Sequence, residues 1–419
     1  MRIAVIGGGI AGLAAALELL RRGAEPVVFE AEARPGGKVG SLSERGYLTE
    51  DGPNFLARPL DALLEASGLR AEVVKPRPPT TRWIHLDGRV LRAPSLALLA
   101  RMGAGRALLE PLLAKPLRED VPLSVFLERR LGKRAGGIAA LVLSAGVYAG
   151  DPARLSARDA FPSLGAMGEK GSLLVHAIRG PRAPRGGIWT LRGGLGMLPA
   201  ALAKSLGPRI RLGTRARRLS PSAQNGWSVE GERFDGVVLA IPAAAAAELT
   251  TGFAPRFADL AGQFRSAPVA VVHLGLRQDA LPRGFGMIDI DGTLHGVGTL
   301  LPSSMLPGRA PEHRALVTAI CGGARHPERA ALHDRELVAG VMRDLRSTWG
   351  VSDEPDYVRI VRWREAIPQY APGHRDRVRE ARDVLAGFRR LELAGAAWDG
   401  VGVPDVARSG AAAAARLIP

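Results

Sequence analysis

A chain of 419 residues, 46% hydrophobic and 23% charged, is too long for one ordinary core and carries no tract biased enough to force disorder, so two or three folded domains are expected. The formal net charge of +16 rests on 57 basic residues, only six of them lysine, and these are scattered rather than run together. With no aromatic-interleaved basic run and no zinc spacing, this argues against a nucleic-acid partner or a metal site and favours anionic small molecules or an anionic lipid surface.

Arg2-Ile3-Ala4-Val5-Ile6 is rich in β-branched residues without polar alternation, the pattern of a strand buried on both faces. Because the chain opens directly in this strand, no signal peptide is expected. Gly7-Gly8-Gly9-Ile10-Ala11-Gly12 follows, giving G-x-G-x-x-G at 7, 9 and 12. The pattern then predicts a helix over Leu13 to Arg22, closed by Gly23, and a second apolar strand from Pro26 that ends in Glu30. Strand, turn, helix, strand and acid in this order form a dinucleotide-binding fingerprint. The glycines allow a tight turn and close approach to a pyrophosphate, the helix N-terminus faces the phosphates, and the Glu30 carboxylate can accept bonds from a ribose hydroxyl pair.

Arg34-Pro35-Gly36-Gly37-Lys38 places a cation just past the second strand, where it can lie over a diphosphate. Gly52-Pro53-Asn54-Phe55 is a loop whose backbone can approach a flat ligand. Pro59 to Gly68 reads as a short helix, and Thr81 to Leu86, Asp87-Gly88 and Arg89 to Arg92 read as a hairpin. From Ser95 to about Phe161 the character is helical, with apolar segments Leu96 to Leu99, Ala107 to Leu113, Val125 to Leu131 and Ile138 to Tyr148 flanked by Arg or Lys. These segments suit either a buried helical subdomain or one that dips into a single leaflet, and amphipathicity does not separate the two. No run of about 18 apolar residues occurs, so a cytoplasmic protein with at most a peripheral membrane contact is expected.

A Gly-rich stretch from Gly186 to Leu195 precedes a helix over Met197 to Ser205. Ile210 to Leu219 and Trp227 to Val229 read as strands, and Phe234 to Pro242 as a buried strand returning to the nucleotide-binding sheet. Pro268 to Gly275, His295 to Leu300 and Leu316 to Ile320 suggest an antiparallel sheet in a second domain. The lone Cys321 cannot form an internal disulfide, fits a reducing compartment and reads as a small buried apolar residue. After an amphipathic helix over Arg335 to Trp349, the tail runs as strand (Leu391 to Ala394), Gly-rich loop (Gly395 to Pro404) and helix (Asp405 to Leu417), a second helix N-terminus aimed at a ligand.

The opening fingerprint, Arg34-x-Gly36-Gly37-Lys38 and the strand Val238-Leu239-Ala240-Ile241-Pro242 resemble the flavin-dependent amine-oxidase and desaturase superfamily. Narrower stretches resemble the protoporphyrinogen oxidase family: Tyr148-Ala149-Gly150-Asp151-Pro152-x-x-Leu155-Ser156 with Phe161-Pro162, and Gly171-Ser172-Leu173-Leu174. So do Trp363-x-x-Ala366-Ile367-Pro368-Gln369-Tyr370-x-x-Gly373-His374 and Gly400-Val401-Gly402-Val403-Pro404-Asp405, and all fall in collinear order.

The resemblance implies an α/β fold: a Rossmann-like, p-hydroxybenzoate-hydroxylase-like FAD-binding domain, a mixed antiparallel-sheet substrate domain, and a helical subdomain that binds membranes in the family. The boundaries expected are 1–75, 186–245 and 357–419 for a discontinuous FAD domain, 76–94 and 246–356 for the substrate domain, and 95–185 for the helices. The implied cofactor is non-covalent FAD. Gly7, Gly8, Gly9, Ile10, Ala11, Gly12, Glu30, Ala31, Gly37 and Lys38 would hold its ADP half, with Ala216 near the adenine. Gly52, Pro53, Asn54, Phe55, Trp363, Val401, Gly402 and Val403 would surround the isoalloxazine. Arg82 would pair with a substrate propionate, with Asn54 also on the substrate side.

The implied reaction converts protoporphyrinogen IX to protoporphyrin IX in three two-electron steps, with flavin N5 as acceptor, O₂ as oxidant and H₂O₂ as product, as in haem biosynthesis. No residue is assigned as acid or base, and His85 and His374 read as structural. Coproporphyrinogen III is the nearest alternative substrate. Another amine-oxidase-like flavoenzyme and a non-enzymatic FAD- or porphyrin-binding protein are more distant. The implied partners are an anionic tetrapyrrole and O₂, while peripheral contact with the inner face of the cell membrane and a homodimer stay open.

Overall fold

Five parallel strands carry the nucleotide fingerprint, in the order Leu391–Leu393, Gly236–Leu239, Arg2–Ile6, Glu25–Phe29 and Ile210–Arg211. The computed structural model that shows this describes residues 1–418 apart from 59, 104, 180–186 and 223–224, so Pro59 and Gly186, each the start of an expected segment, lie outside the described residues. The central strand is buried because both faces are covered. Ile3, Val5, Val28 and Val238 pack under the helices Ile10–Arg21, Met197–Leu206 and Val403–Leu417. Ala4, Ile6, Val27, Phe29, Val237 and Leu239 pack on the other side against Trp227, Phe257, Ala381 and Trp398. That double coverage explains the lack of alternation in the sequence.

Two differences from the expected elements lie near this sheet. The first helix starts at Ile10 rather than Leu13, because Gly9 already caps it and its carbonyl accepts from Leu13 N at 2.9 Å. The expected strand Ile210 to Leu219 is split: only Ile210–Arg211 joins the parallel sheet, and Leu219–Ser222 pairs with Gly226–Val229 in a separate three-stranded sheet. Between them the chain crosses the end of the second strand, with Gly213 N donating to Glu32 O at 2.9 Å and Thr214 N to Glu30 O at 2.7 Å. Ile210 to Leu219 is therefore not one ladder.

The second sheet has seven strands in the order Tyr357–Pro368, Ser266–Arg277, Arg314–Gly322, Gly296–Leu300, Gly286–Asp289, Arg82–Leu86 and Arg89–Ala93. All its pairs are antiparallel except Gly286–Asp289 with Arg82–Leu86. Tyr357–Pro368, placed with the FAD-binding portion from sequence, is instead the edge strand of this sheet. Its apolar residues gave no partner, and pairing with a strand some ninety positions away is not a local signal. The Asp87-Gly88 hairpin forms as expected, with φ of 52° and 67° at the two turn residues. Helix Asp334–Trp349 covers one face through Leu337, Val341 and Leu345, burying Ala270, Val272, Val317, Ala319 and Cys321.

The helical portion has its own small core of Leu123, Phe126, Leu127, Ala140, Ala157 and Leu173. Inside it the buried Arg130 and Glu110 pair at 3.0 Å. Ser172 Oγ and the Leu173 and Leu174 amides also donate to the Glu110 carboxylate, so the Gly171-Ser172-Leu173-Leu174 stretch caps a buried acid. No helix among the described residues is long and apolar enough to cross a membrane.

The first and last long helices approach closely because their crossing residues are small. A Cβ on Gly410 would lie 1.9 Å from the Ala11 carbonyl oxygen, which is backbone and cannot swing away. Gly410→Ala should therefore destabilise the protein by about 1–3 kcal/mol. The measurement is the urea midpoint, and an unchanged midpoint would show that the helices separate without cost.

Candidate functional site

The glycines of the opening turn fall into two classes. A Cβ at Gly7 (φ 105°) would lie 2.5 Å from Ala240 O, and one at Gly12 would lie 1.8 Å from Gly7 O. Those two positions are glycine because the protein's own backbone fills the space. Gly9 is different: φ −70° and ψ −180° suit any residue, and nothing lies within 4 Å of where its Cβ would be. The chain leaves open space at a helix N-terminus that it does not need for itself, which is where a diphosphate fits.

Glu30 closes the cradle. It is buried at the end of the second strand, Oε2 accepting from Gly8 N at 2.6 Å and Oε1 from Glu32 N at 2.8 Å. Each oxygen keeps a lone pair for a hydroxyl. Thr214, bonded to Glu30 O, brings the half-buried Ala216 to the same end of the second strand.

The next loop folds back on this turn, Gly36 N donating to Gly8 O at 2.8 Å, with the Cβ position of Gly37 3.4 Å from the Gly9 Cα. A Cβ at Gly52 would meet the Lys38 carbonyl oxygen at 2.6 Å. Burial pushes the Lys38 ammonium down to about 8, against the opposing pull of Glu365. Lys38 therefore stands where the cradle passes into the Gly52–Phe55 loop, rather than at the adenine end.

That second loop is fixed by Trp363, whose Nε1 donates to Asp51 O at 2.7 Å, and by Asn54 Nδ2 donating to Gly52 O at 3.1 Å. Phe55 and Phe285 have centroids 5.4 Å apart, and the Arg82 guanidinium lies 4.9 Å above the Phe285 ring. Phe55, Phe285 and Arg82 thus form a continuous contact from the loop to the second sheet. Arg82 is exposed, and among the described residues it has no carboxylate partner. On the far side, Tyr370 OH donates to Ala396 O at 2.6 Å and accepts from Gly400 N at 2.7 Å. This ties the Ala366-Ile367-Pro368-Gln369-Tyr370 string to the loop whose half-buried Val401, Gly402 and Val403 open the last helix.

The register of the seven-stranded sheet supplies a surface that the sequence did not reveal. Val271 pairs with Val361 and Ile320, Ile320 with Gly298, Gly298 with Ile288, and Ile288 with Ile84. This row lies on the face opposite helix Asp334–Trp349, with Trp363 and Leu300 on the same face and Arg82 at its rim. Val361, Trp363, Ile320, Gly298, Leu300 and Ile288 are half-buried: the Ile84 and Ile288 end of the face packs against Leu98, Ile138 and Leu141 of the helical portion, and the rest is an apolar floor without a complete cover. Gly298, inside a strand, leaves room for close approach. The Gly-Val-Gly at 296–298 was the available signal in the sequence, because glycine in a strand interior marks a bulge or a nearby ligand.

The two histidines expected to be structural, His85 and His374, are both occupied. His85 Nδ1 bonds the Asp289 carboxylate at 2.9 Å in the buried face. His374 stacks on Tyr370 with centroids 3.7 Å apart, and burial, with Arg377 and Arg375 nearby, holds it down to about 3.

The model of the flavin-containing amine oxidoreductase family matches residues 10–418. Human protoporphyrinogen oxidase is 31% identical over 99% of this chain and 98% of its own length. Coproporphyrinogen III oxidase of Bacillus subtilis is 28% identical over 98% of this chain and 96% of its own. The crystal structure of a provisionally named protoporphyrinogen oxidase from Exiguobacterium superposes with a TM-score of 0.86 at 26% identity, covering 100% of this chain and 98% of that one. The chain belongs to the flavin-containing amine oxidoreductases, within the protoporphyrinogen oxidase family, and is an FAD-dependent oxidoreductase.

Two outcomes follow from the cradle. Gly9→Val should leave folding intact, since its side chain meets no protein atom at Cβ, while abolishing the flavin absorbance of the purified protein. A yellow, FAD-loaded variant would place the dinucleotide elsewhere. With Lys38 beside the diphosphate, bound FAD favours its ammonium, so binding takes up a proton once pH exceeds about 8. FAD affinity should then fall by up to about tenfold per pH unit above that value, and Lys38→Met should flatten the profile. A wild-type affinity that is flat from pH 7 to 10 would separate Lys38 from the diphosphate.

Proposed function

We propose that the chain oxidises a porphyrinogen to a porphyrin, with protoporphyrinogen IX as the first candidate. The observation that carries this is the half-buried apolar floor with Arg82 at its rim, joined through Phe285 and Phe55 to the loop beside the cradle. A floor of Val361, Ile320, Leu300 and Ile288 suits a flat apolar macrocycle, and an exposed guanidinium suits a carboxylate arm. Contact with the Phe285 ring holds Arg82 in place, so a propionate there would register the macrocycle against the floor.

FAD, when bound, supplies the two-electron acceptor, which Gly52–Phe55, Trp363 and Val401–Val403 would flank. The balance is the porphyrinogen losing six electrons and six hydrogens while three O₂ become three H₂O₂. The side chains contribute orientation and exclusion of water, and the nearby histidines are spent on Asp289 and Tyr370.

Coproporphyrinogen III is the second reading, favoured by the likeness to the Bacillus enzyme along nearly its full length. Arg82 serves either substrate, since both carry propionates. We also place the helical portion at an anionic membrane surface as a peripheral contact. Leu96 and Leu112 are 85% and 84% exposed, in the helices Leu96–Met102 and Glu110–Leu113, with Leu99, Leu109 and Leu113 also exposed along the same stretch, and the chain is strongly basic.

The deciding experiment mixes the purified, FAD-loaded protein with each porphyrinogen under air and follows porphyrin fluorescence and H₂O₂. Production of neither, together with flavin that no porphyrinogen reduces anaerobically, would return the choice to another amine-oxidase-like activity or a carrier. Arg82→Ala should raise KM about 10- to 100-fold, the worth of a charge-assisted bond, with flavin content unchanged. Unaltered porphyrinogen kinetics would remove Arg82 from the site.

A further inference from the structure

Thr49, Glu50 and Asp51, the three residues before the Gly52–Phe55 loop, are all buried, and each is gripped from outside its own strand. Arg309 Nη1 meets Glu50 Oε1 at 2.7 Å, both side chains only 2% exposed, and Arg309 Nη2 also donates to Thr190 Oγ1 at 3.2 Å. The Glu50 carboxylate further accepts from Ser41 Oγ at 2.5 Å and Leu195 N at 3.1 Å. Arg359, on the edge strand of the second sheet, binds Asp51 Oδ1 at 2.5 Å and Thr49 Oγ1 at 3.0 Å.

His273 completes the set from the floor face, where it pairs across the ladder with Arg359 and Thr318. It is fully buried, with Nε2 3.0 Å from Glu50 O and Nδ1 3.0 Å from Thr318 Oγ1. A carbonyl only accepts, so Nε2 carries the proton and Nδ1 accepts from the Thr318 hydroxyl. Burial, with the Arg359 charge beside it, holds the imidazole neutral, down to about 4.

We propose that His273 and the Glu50–Arg309 pair are positioning residues, which fix the segment Thr49 to Asp51 between the two sheets and so set the height of the Gly52–Phe55 loop, and the flavin ring it flanks, above the porphyrinogen floor. This rests on the porphyrinogen reading for its substrate but not for its geometry. Fold maintenance alone does not call for these groups, since buried ion pairs are commonly replaceable by apolar residues of similar volume. The network joins Glu50 O to the floor strand through His273 and Asp51 O to the edge strand through Trp363, one residue before the loop begins.

The test uses FAD-loaded His273→Leu, which loses both bonds, and His273→Gln, whose amide can still donate to Glu50 O. Three quantities are read: the flavin midpoint potential, its absorption envelope, and the anaerobic rate of flavin reduction by protoporphyrinogen IX or coproporphyrinogen III. His273→Leu should shift the potential and envelope and slow reduction on the order of 10- to 100-fold, with porphyrinogen affinity unchanged. His273→Gln should recover most of the rate. A folded His273→Leu protein with wild-type potential, envelope and rate overturns the proposal. Should that variant not fold, Thr318→Val decides in its place by removing only the hydroxyl that orients the imidazole: a several-fold slower reduction and a shifted potential support positioning, and wild-type values overturn it. If neither porphyrinogen reduces the wild-type flavin, the proposed substrate fails, and the potential and envelope of the variants still decide the positioning claim.

Discussion

Two full charges removed from water cost several kcal/mol each, and Glu50 and Arg309 are almost wholly buried where the two sheets meet. Such a pair persists only where its remaining donors and acceptors are filled. Ser41 and Leu195 complete the carboxylate, and Thr190 and the Leu191 carbonyl complete the guanidinium. Ser41, Thr190 and Leu195 border the dinucleotide domain, whereas Arg309 lies in the connection between Gly296–Leu300 and Arg314–Gly322, two strands of the second sheet. The pair thus joins the two portions together with Arg359 on Asp51, His273 on the Glu50 carbonyl and Trp363 on the Asp51 carbonyl. Burial raises the Glu50 carboxyl above the usual carboxylate range, and Arg309, Ser41 and Leu195 offset that only in part. Sliding one sheet past the other would leave a charged group in the interior without its partner.

How far the sequence discloses this architecture follows from the range of each interaction. The fingerprint is legible because strand, turn, helix and acid are consecutive, and each glycine has a local reason. The return strand Gly236–Leu239 is legible because burial on both faces leaves an uninterrupted apolar run. Tyr357–Pro368 is not, because its place at the edge of the second sheet is decided by Ser266–Arg277, a partner that a local pattern does not contain. Glu50 and Arg309, 259 positions apart, are invisible for a second reason: an isolated acid or arginine in a sequence reads as a solvated surface residue.

The site divides in the same way. Positions whose identity follows from backbone geometry, such as Gly7 and Gly12, are recognisable from spacing alone. Ile320, Leu300 and Ile288 are ordinary strand residues in the sequence, and they become a floor only once the register puts them on one face, opposite helix Asp334–Trp349. Arg82 sits between these cases. Its strand is locally predictable, but its significance comes from Phe285 beneath it and from the lack of a carboxylate partner among the described residues.

This division also accounts for the polar groups around the site. His85, His273 and His374 are each buried and held, by Asp289, by Thr318 with Glu50, and by stacking on Tyr370. A side chain that moved protons in the reaction would need access to substrate and a titration near neutrality; Lys38, held down to about 8, stands at the cradle rather than on the floor. Here His273 and His374 are held neutral at any physiological pH, so their imidazoles act as fixed donors and packing surfaces. The exposed charge at the rim is instead an arginine, whose protonation does not change. A chain that leaves redox chemistry to FAD can use its polar side chains to fix distances and leave the reacting face apolar. That is the arrangement in which a small error in height, rather than a wrong protonation state, is the main threat to rate.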